Sequence, residues 1–259
     1  MKLINFKRTG IPLLFLSTLF TTSCINTRTA TYFNDVNDAT LSSNTPIPES
    51  IIQKNDLLSI SVSSPNPEAS APFNVPNSSA VTGGVNPASG YLVSADGMIQ
   101  FPALGSIKAA GLSKEQLKEN IAKKLLEKQL LKDPIVSIRF LNFRITVLGE
   151  VKNPAVVSVP NEKISLLEAI GLAGDLTIYA KRDNVLIIRE EDGNKTLKRI
   201  NLNNNELLSS PYYYLKSNDI VYVEPNKAKV ASTGRSQQWL PVVVSGLSLA
   251  IIVLDRVIK

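Results

Sequence analysis

The chain has 259 residues, 44% of them hydrophobic and 19% charged, with a formal net charge of +6 and no histidine. Without imidazole there is no Ser-His-Asp or Cys-His proton shuttle and no histidine-held hydrolytic zinc, so those hydrolase classes are excluded. A single cysteine excludes an internal disulfide framework, and carboxylate-pair chemistry of the glycosidase kind is the enzymatic route left open.

The chain starts with Lys2, Lys7 and Arg8, an apolar run from Ile11 to Phe20, and Thr21-Thr22-Ser23-Cys24. A basic start, a short apolar core and small residues before a cut mark residues 1–23 as a signal peptide. An apolar core of about ten residues is too short to cross a bilayer. Cys24 stands where a lipoprotein signal peptidase would leave an N-terminal thiol for acylation, palmitate included. The usual Leu three residues before such a cysteine is replaced by Thr21. Loss of the leader removes three basic groups and no acidic ones, so the net charge falls to about +3. That is too mild for a nucleic-acid binder, which carries a concentrated basic face. Residues 24–50, rich in Asn, Thr, Ser and Pro, read as a tether from the lipid to the folded part.

A first unit is expected over 51–142. Leu58, Ile60 and Val62 alternate with polar residues, as in a half-buried strand, and the Ser/Pro/Gly-rich stretch 64–90 reads as a long loop. Tyr91–Ser94 and Met98–Phe101 flank Asp96-Gly97, the dipeptide that supplies the positive φ values of a two-residue hairpin turn, so a hairpin is expected. A helix is predicted from Lys114 to about Leu131. Ser113 and Gln116 form its capping box, Leu112 and Leu117 a hydrophobic staple, and Leu117, Ile121 and Leu125 its buried stripe. Asp133-Pro134 ends it, and a strand carrying Val136, Ile138 and Phe140 on one face follows.

A second unit is expected over 143–226. Ile145 and Val147 alternate, Gly149–Pro154 turns into Ala155–Val159, and Ser165 with Glu168 caps a helix over Leu166–Ala173 that stops at Gly174. Strands are predicted at Val185–Arg189, Thr196–Leu202, Tyr212–Leu215 and Ile220–Val223, with an Asp192-Gly193 turn after the first. Residues 227–238 are polar and read as a linker. Then Trp239–Leu254 runs uncharged for 16 residues before Asp255, Arg256 and Lys259. As a helix this is ~24 Å, which fits the thinner bacterial outer membrane, so a transmembrane helix is predicted over 239–258. Trp239 would mark one interface, while Val242, Val243, Leu249 and Val253 would be apolar span residues. Gly246 and Ala250 would form a small-residue packing face.

The order of these pieces resembles the outer-membrane polysaccharide export family of capsule translocon lipoproteins. The residues that carry the resemblance are Ile52–Ile60, Tyr91–Gly105, the Ala110-Gly111-Leu112-Ser113 entry to the helix and Asp133–Val136. In the second unit they are Val147-Leu148-Gly149-Glu150-Val151 with Asn153-Pro154, Leu167–Ile170 with Ala173–Thr177, and Leu215–Val223. Pro154-Ala155 stands where members often have Pro-Gly, and the chain has room for one β-grasp copy where longer members carry two. The resemblance implies an α+β chain: two small mixed α/β periplasmic domains, a polysaccharide export domain and a soluble-ligand-binding β-grasp domain, before the transmembrane helix. It further implies a homo-oligomeric ring in the outer membrane with polysaccharide as cargo. An inner-membrane polysaccharide copolymerase or tyrosine autokinase would be its partner. No cofactor, metal or catalytic residue is implied.

Three tempting clusters have plainer readings. Tyr212, Tyr213 and Tyr214 could stack on sugars, but consecutive strand residues must put one ring inward. Lys118, Lys124, Lys128 and Lys132 could draw in an acidic polymer, yet a solvated helix face explains them. Glu150, Glu168, Asp175 and Asp219 each sit where a cap or a turn wants a carboxylate. The alternative to an export channel is a monomeric periplasm-facing lipoprotein that binds a soluble ligand or glycan through the β-grasp module.

Overall fold

The computed structural model describes residues 30–34, 48–74, 90–191, 193–232 and 235–258. The leader and Cys24 lie outside these residues.

The first unit contains β1 (Leu57–Ser63), β2 (Tyr91–Leu92), β3 (Met98–Phe101), β4 (Gly105–Lys108), helix α1 (Lys114–Glu127) and β5 (Ile135–Phe140). β1 lies between β2 and β5 in an antiparallel sheet of order β2-β1-β5, with Ile60 opposite Ile138 and Val62 opposite Val136. The alternation read from the sequence holds: Leu58, Ile60, Val62, Val136, Ile138 and Phe140 are all buried. The expected hairpin is corrected. Asp96-Gly97 does form a tight turn, with Gly97 at φ 77, but its two flanks join different sheets. β2 is drawn to β1, where the Val93 amide donates to Asp56 O at 2.8 Å, whereas β3 pairs with β4. The aromatic core fixes this choice, because Tyr91 stacks on Phe101 at 5.3 Å and Phe101 on Phe73 at 6.3 Å. The stretch 64–74, read as loop, holds one helical turn at Pro67–Ser70, capped by Asn66, and a 3-10 turn at Ala71–Asn74.

In α1 both halves of the Ser113–Gln116 capping box are made, and Leu117, Ile121 and Leu125 are buried. The helix stops one turn before the predicted end. Gln129 adopts φ 56 and the Leu130 amide reaches back to Leu125 O at 3.0 Å, a left-handed closure that needs no proline.

The second unit contains β6 (Arg144–Gly149), β7 (Ala155–Ser158), helix α2 (Leu166–Leu172), β8 (Ala180–Glu191), β9 (Asn194–Ile200) and β10 (Ile220–Pro225). Its sheet runs β7-β6-β10-β8-β9, with β6 and β10 parallel at the centre. That approach is why residue 149 is glycine: a Cβ there would lie 2.0 Å from the Val223 carbonyl oxygen, and φ is +93°. α2 has its capping box, Ser165 with Glu168, and closes on Gly174, whose follower Asp175 donates from its amide to Ile170 O at 3.0 Å. The strand expected at Tyr212–Leu215 is corrected. This segment follows a 3-10 turn at Asn205–Ser209 and makes only an isolated bridge, Tyr214 with Ser165. It is held to the loop before α2 by Leu166 N to Tyr213 O at 2.8 Å and Leu215 N to Ile164 O at 2.9 Å.

One cluster of buried apolar side chains runs through both units. Glu162 fastens them from above: its carboxylate accepts the Phe140 amide at 2.8 Å and the Lys114 ammonium.

Within the stretch expected as a linker, 227–238, Lys227–Ser232 form helix α3. The C-terminal helix α4 runs from Arg235 to Ile258. Among the described residues no helix is long and apolar enough to cross a membrane. The expectation of a transmembrane helix over 239–258 is therefore not supported. Pro241, Ser245, Gly246 and Ser248 dilute the apolar run, and Asp255-Arg256 end it.

Candidate anchoring surfaces and a groove on the second domain

The predicted span residues are all on α4 and all face outward. Trp239 is 59% exposed; Val242, Val243, Leu249 and Val253 are each more than half exposed, and so are Val244, Leu247 and Ile252. Gly246 and Ala250 are exposed too, and a Cβ at Gly246 would meet nothing within 4 Å. The hydroxyls of Ser245 and Ser248 donate to the carbonyls of Pro241 and Val244 at 2.7 and 2.9 Å. Bonded back onto their own helix, they present little unsatisfied polarity to an apolar neighbour. Uncovered apolar surface on this scale marks an interaction site. Cys24 lies outside the described residues.

The four carboxylates singled out in the sequence do not converge on a cleft. Glu168 is spent on its cap, where the Ser165 amide, and then the Ser165 hydroxyl, hold its carboxyl below the usual range. Glu150 accepts the Thr177 hydroxyl at 2.7 Å and faces Lys229 at 3.6 Å. Asp219 is 1% exposed and takes a bidentate contact from Arg189, Nε at 3.0 Å and Nη2 at 2.7 Å. It also accepts the Lys216 amide at 2.8 Å, which closes the turn into β10. Asp175 accepts the Tyr32 hydroxyl. Among the described residues no group of three or more metal-ligating side chains is present.

The three tyrosines are all half-buried, none turned fully inward, and each packs on a neighbour. Arg189 lies over Tyr212 at 4.8 Å, Tyr213 meets Tyr214 edge-on at 4.9 Å, and Lys163 covers Tyr214 at 4.9 Å. Lys118 pairs with Glu115 at 2.9 Å, while Lys128 and Lys132 are exposed, as a solvated face would have it. Beside Lys163 a groove of about 400 Å³ opens between the end of β7 and α2, bordered by Val159, Asn161, Glu168 and Leu172.

Sequence reading missed three features. Arg189–Asp219 is a buried ion pair thirty positions apart, with no local signal. Asp56 is buried with its carboxylate accepting the Gln53 amide at 2.7 Å, and burial pushes its pKa up. Tyr32, in the presumed tether, is packed on the second domain.

Residues 44–141 match the family model for polysaccharide biosynthesis/export protein, and residues 144–223 that for the SLBB domain. The chain is 34% identical over 149 residues to the EPS I polysaccharide export outer membrane protein EpsA of Ralstonia solanacearum, a match covering 56% of this chain and 39% of the relative. It is 33% identical over 156 residues to the protein of the same name from Ralstonia nicotianae, covering 59% and 40%. The chain thus spans about two fifths of the length of these curated relatives. With an export domain and an SLBB domain in that order, the chain belongs to the polysaccharide export family.

Proposed function

We propose that this chain is one subunit of an outer-membrane conduit that passes a hydrophilic polysaccharide, capsular or secreted, from the periplasm to the cell surface. The observation that carries this reading is the succession of export domain, SLBB domain and a helix whose apolar side chains have no cover. The relatives named above are outer membrane polysaccharide export proteins, and that location is carried to this chain: folded domains in the periplasm, held to the membrane at both ends. Acyl groups on Cys24 form one anchor.

The second anchor is α4, acting in numbers. Assembly into a ring of copies gives the exposed apolar side chains of α4 both helix neighbours and lipid to cover them. Each helix then needs only part of its circumference to face lipid, through residues such as Val242, Val243, Leu249 and Val253. Gly246 and Ala250 allow neighbours to approach closely, and Trp239 takes the interfacial level. The work is conduction and breaks no bond. An inner-membrane polysaccharide copolymerase or tyrosine autokinase would deliver the polymer.

Deletion of residues 239–259 is the test. Surface polysaccharide is expected to fall to the level of a null strain while the periplasmic domains keep their thermal transition. Unchanged surface polymer from the truncated chain contradicts the conduit. The groove beside Lys163 favours a second reading, a monomeric glycan-binding lipoprotein, and that reading gains if the truncated chain is both monomeric and fully functional.

A further inference from the structure

Residues 30–34 were expected to hang loosely between lipid and fold, yet they are fastened to the second domain. The Phe33 amide donates to Leu202 O at 3.1 Å. The Tyr32 hydroxyl donates to Asp175 Oδ1, and its ring lies 5.6 Å from the Arg182 guanidinium carbon. Burial foremost, and then the bond to Asp175, hold this phenol protonated well above its ordinary range, so it remains a donor. Arg182 is itself 6% exposed, giving Nη2 to Thr177 O at 3.2 Å, and the Tyr32 ring helps cover its charge.

The loop that receives Tyr32, residues 175–180, is gripped from its other side by the segment leading to α4. The Asn226 amide donates to Tyr179 O at 2.7 Å, and Asn226 Oδ1 caps α3 by accepting the Lys229 amide at 3.0 Å. Lys229 pairs with Glu150 at 3.6 Å and lies over the Tyr179 ring at 5.2 Å, while Glu150 accepts Thr177 Oγ1. Three residues join Tyr32 to Lys229 through contacts, Arg182, Thr177 and Glu150, and Asp175 holds Tyr32 beside them. Residues 30–34 and the segment leading into α3 therefore meet at one corner of the second domain. The tip of that loop is Ile178, 73% exposed, and Leu172 nearby in sequence is 63% exposed. Lys227 is exposed and follows Asn226, whose side-chain amide donates to Ile178 O at 3.5 Å.

We propose that this corner, the 175–180 loop with the Tyr32 segment and the base of α3, is a lipid-facing surface that rests on the phospholipid headgroups. The inference rests on the two-anchor reading above. Tyr32 lies eight positions after Cys24, so even fully extended the acylated residue stays within ~29 Å of the latch. α4 begins three residues beyond the end of α3. A bilayer reached by both tethers must lie on this side of the second domain. An apolar tip with Lys227 and Lys229 on the adjoining segment suits its boundary, where a side chain like Ile178 buries and ammonium groups meet phosphate.

The test uses the full chain on vesicles of phosphatidylethanolamine and phosphatidylglycerol carrying a headgroup nitroxide. A fluorescent amino acid replaces Ile178 or, as control, Lys123, a 75% exposed residue on α1. Quenching several times stronger at 178 than at 123 is expected. Flotation of the chain with equal or weaker quenching at 178 overturns this proposal alone; failure of the chain to float overturns it together with the anchoring reading. A second measurement covers the latch itself: in detergent the Phe33 amide should exchange slowly, and Tyr32→Ala should make it fast. A Phe33 amide that exchanges freely in the unmodified protein overturns the docked segment.

Discussion

Asp56 is a carboxylate in the wrong dielectric. It is 3% exposed, and the Gln53 amide only partly offsets the cost of burying its charge, so its pKa is raised above the ordinary 3.8. A group whose folded pKa is raised contributes stability that is fully present below 3.8 and lost as pH rises through the folded value. Asp56→Asn keeps an oxygen for the Gln53 amide and carries no charge. Its denaturation midpoint should exceed that of the unmodified protein at pH 7, with the two converging as pH falls below 3.8. A variant less stable than the unmodified protein at pH 7, but matching it in acid, would show that the charge itself stabilises the fold. The Arg189–Asp219 pair follows the opposite rule, since removal of one partner strands the other; losses of about 3–5 kcal/mol are expected for Arg189→Met in chemical denaturation.

At the scale of elements, what could be read from the sequence was whatever is encoded within a few residues. Both capping boxes, the stripe on α1 and the alternations in β1 and β5 are such features, and each forms as expected. Pairing is not encoded that way. The Asp96-Gly97 turn is real, but which strands its flanks join depends on Phe73, Tyr91 and Phe101 meeting from distant positions. Tyr212–Leu215 has strand composition and no strand partner along its length, because α2's approach loop takes its hydrogen bonds. The Tyr32 latch is invisible for the same reason: its partner, Asp175, is 143 positions away. Gly149 is the converse case, a residue in a recognisable motif whose need becomes plain only when β10 is seen against it. Gly149→Ala combines positive φ with a backbone collision, and a loss of about 3 kcal/mol or more is expected. A fully stable Gly149→Ala in thermal melts would mean that β6 and β10 do not approach as closely as described.

For the whole molecule, the anchoring residues are the least complete part. Cys24 lies outside the described residues, and α4 is helical but not a membrane span on its own. Trp239, Val242, Leu249 and Val253 on it are each more than half exposed. Apolar side chains of this kind are costly to leave bare in water, and the proposed assembly into a ring would cover them. The folded domains, one export unit and one SLBB unit joined through Glu162, would then stack as rings beneath it. The most direct test is single-particle imaging of the detergent-extracted full chain. Closed rings with a central lumen are predicted, dispersing to single subunits when residues 239–259 are removed; a full chain that appears only as separate monomers contradicts the account.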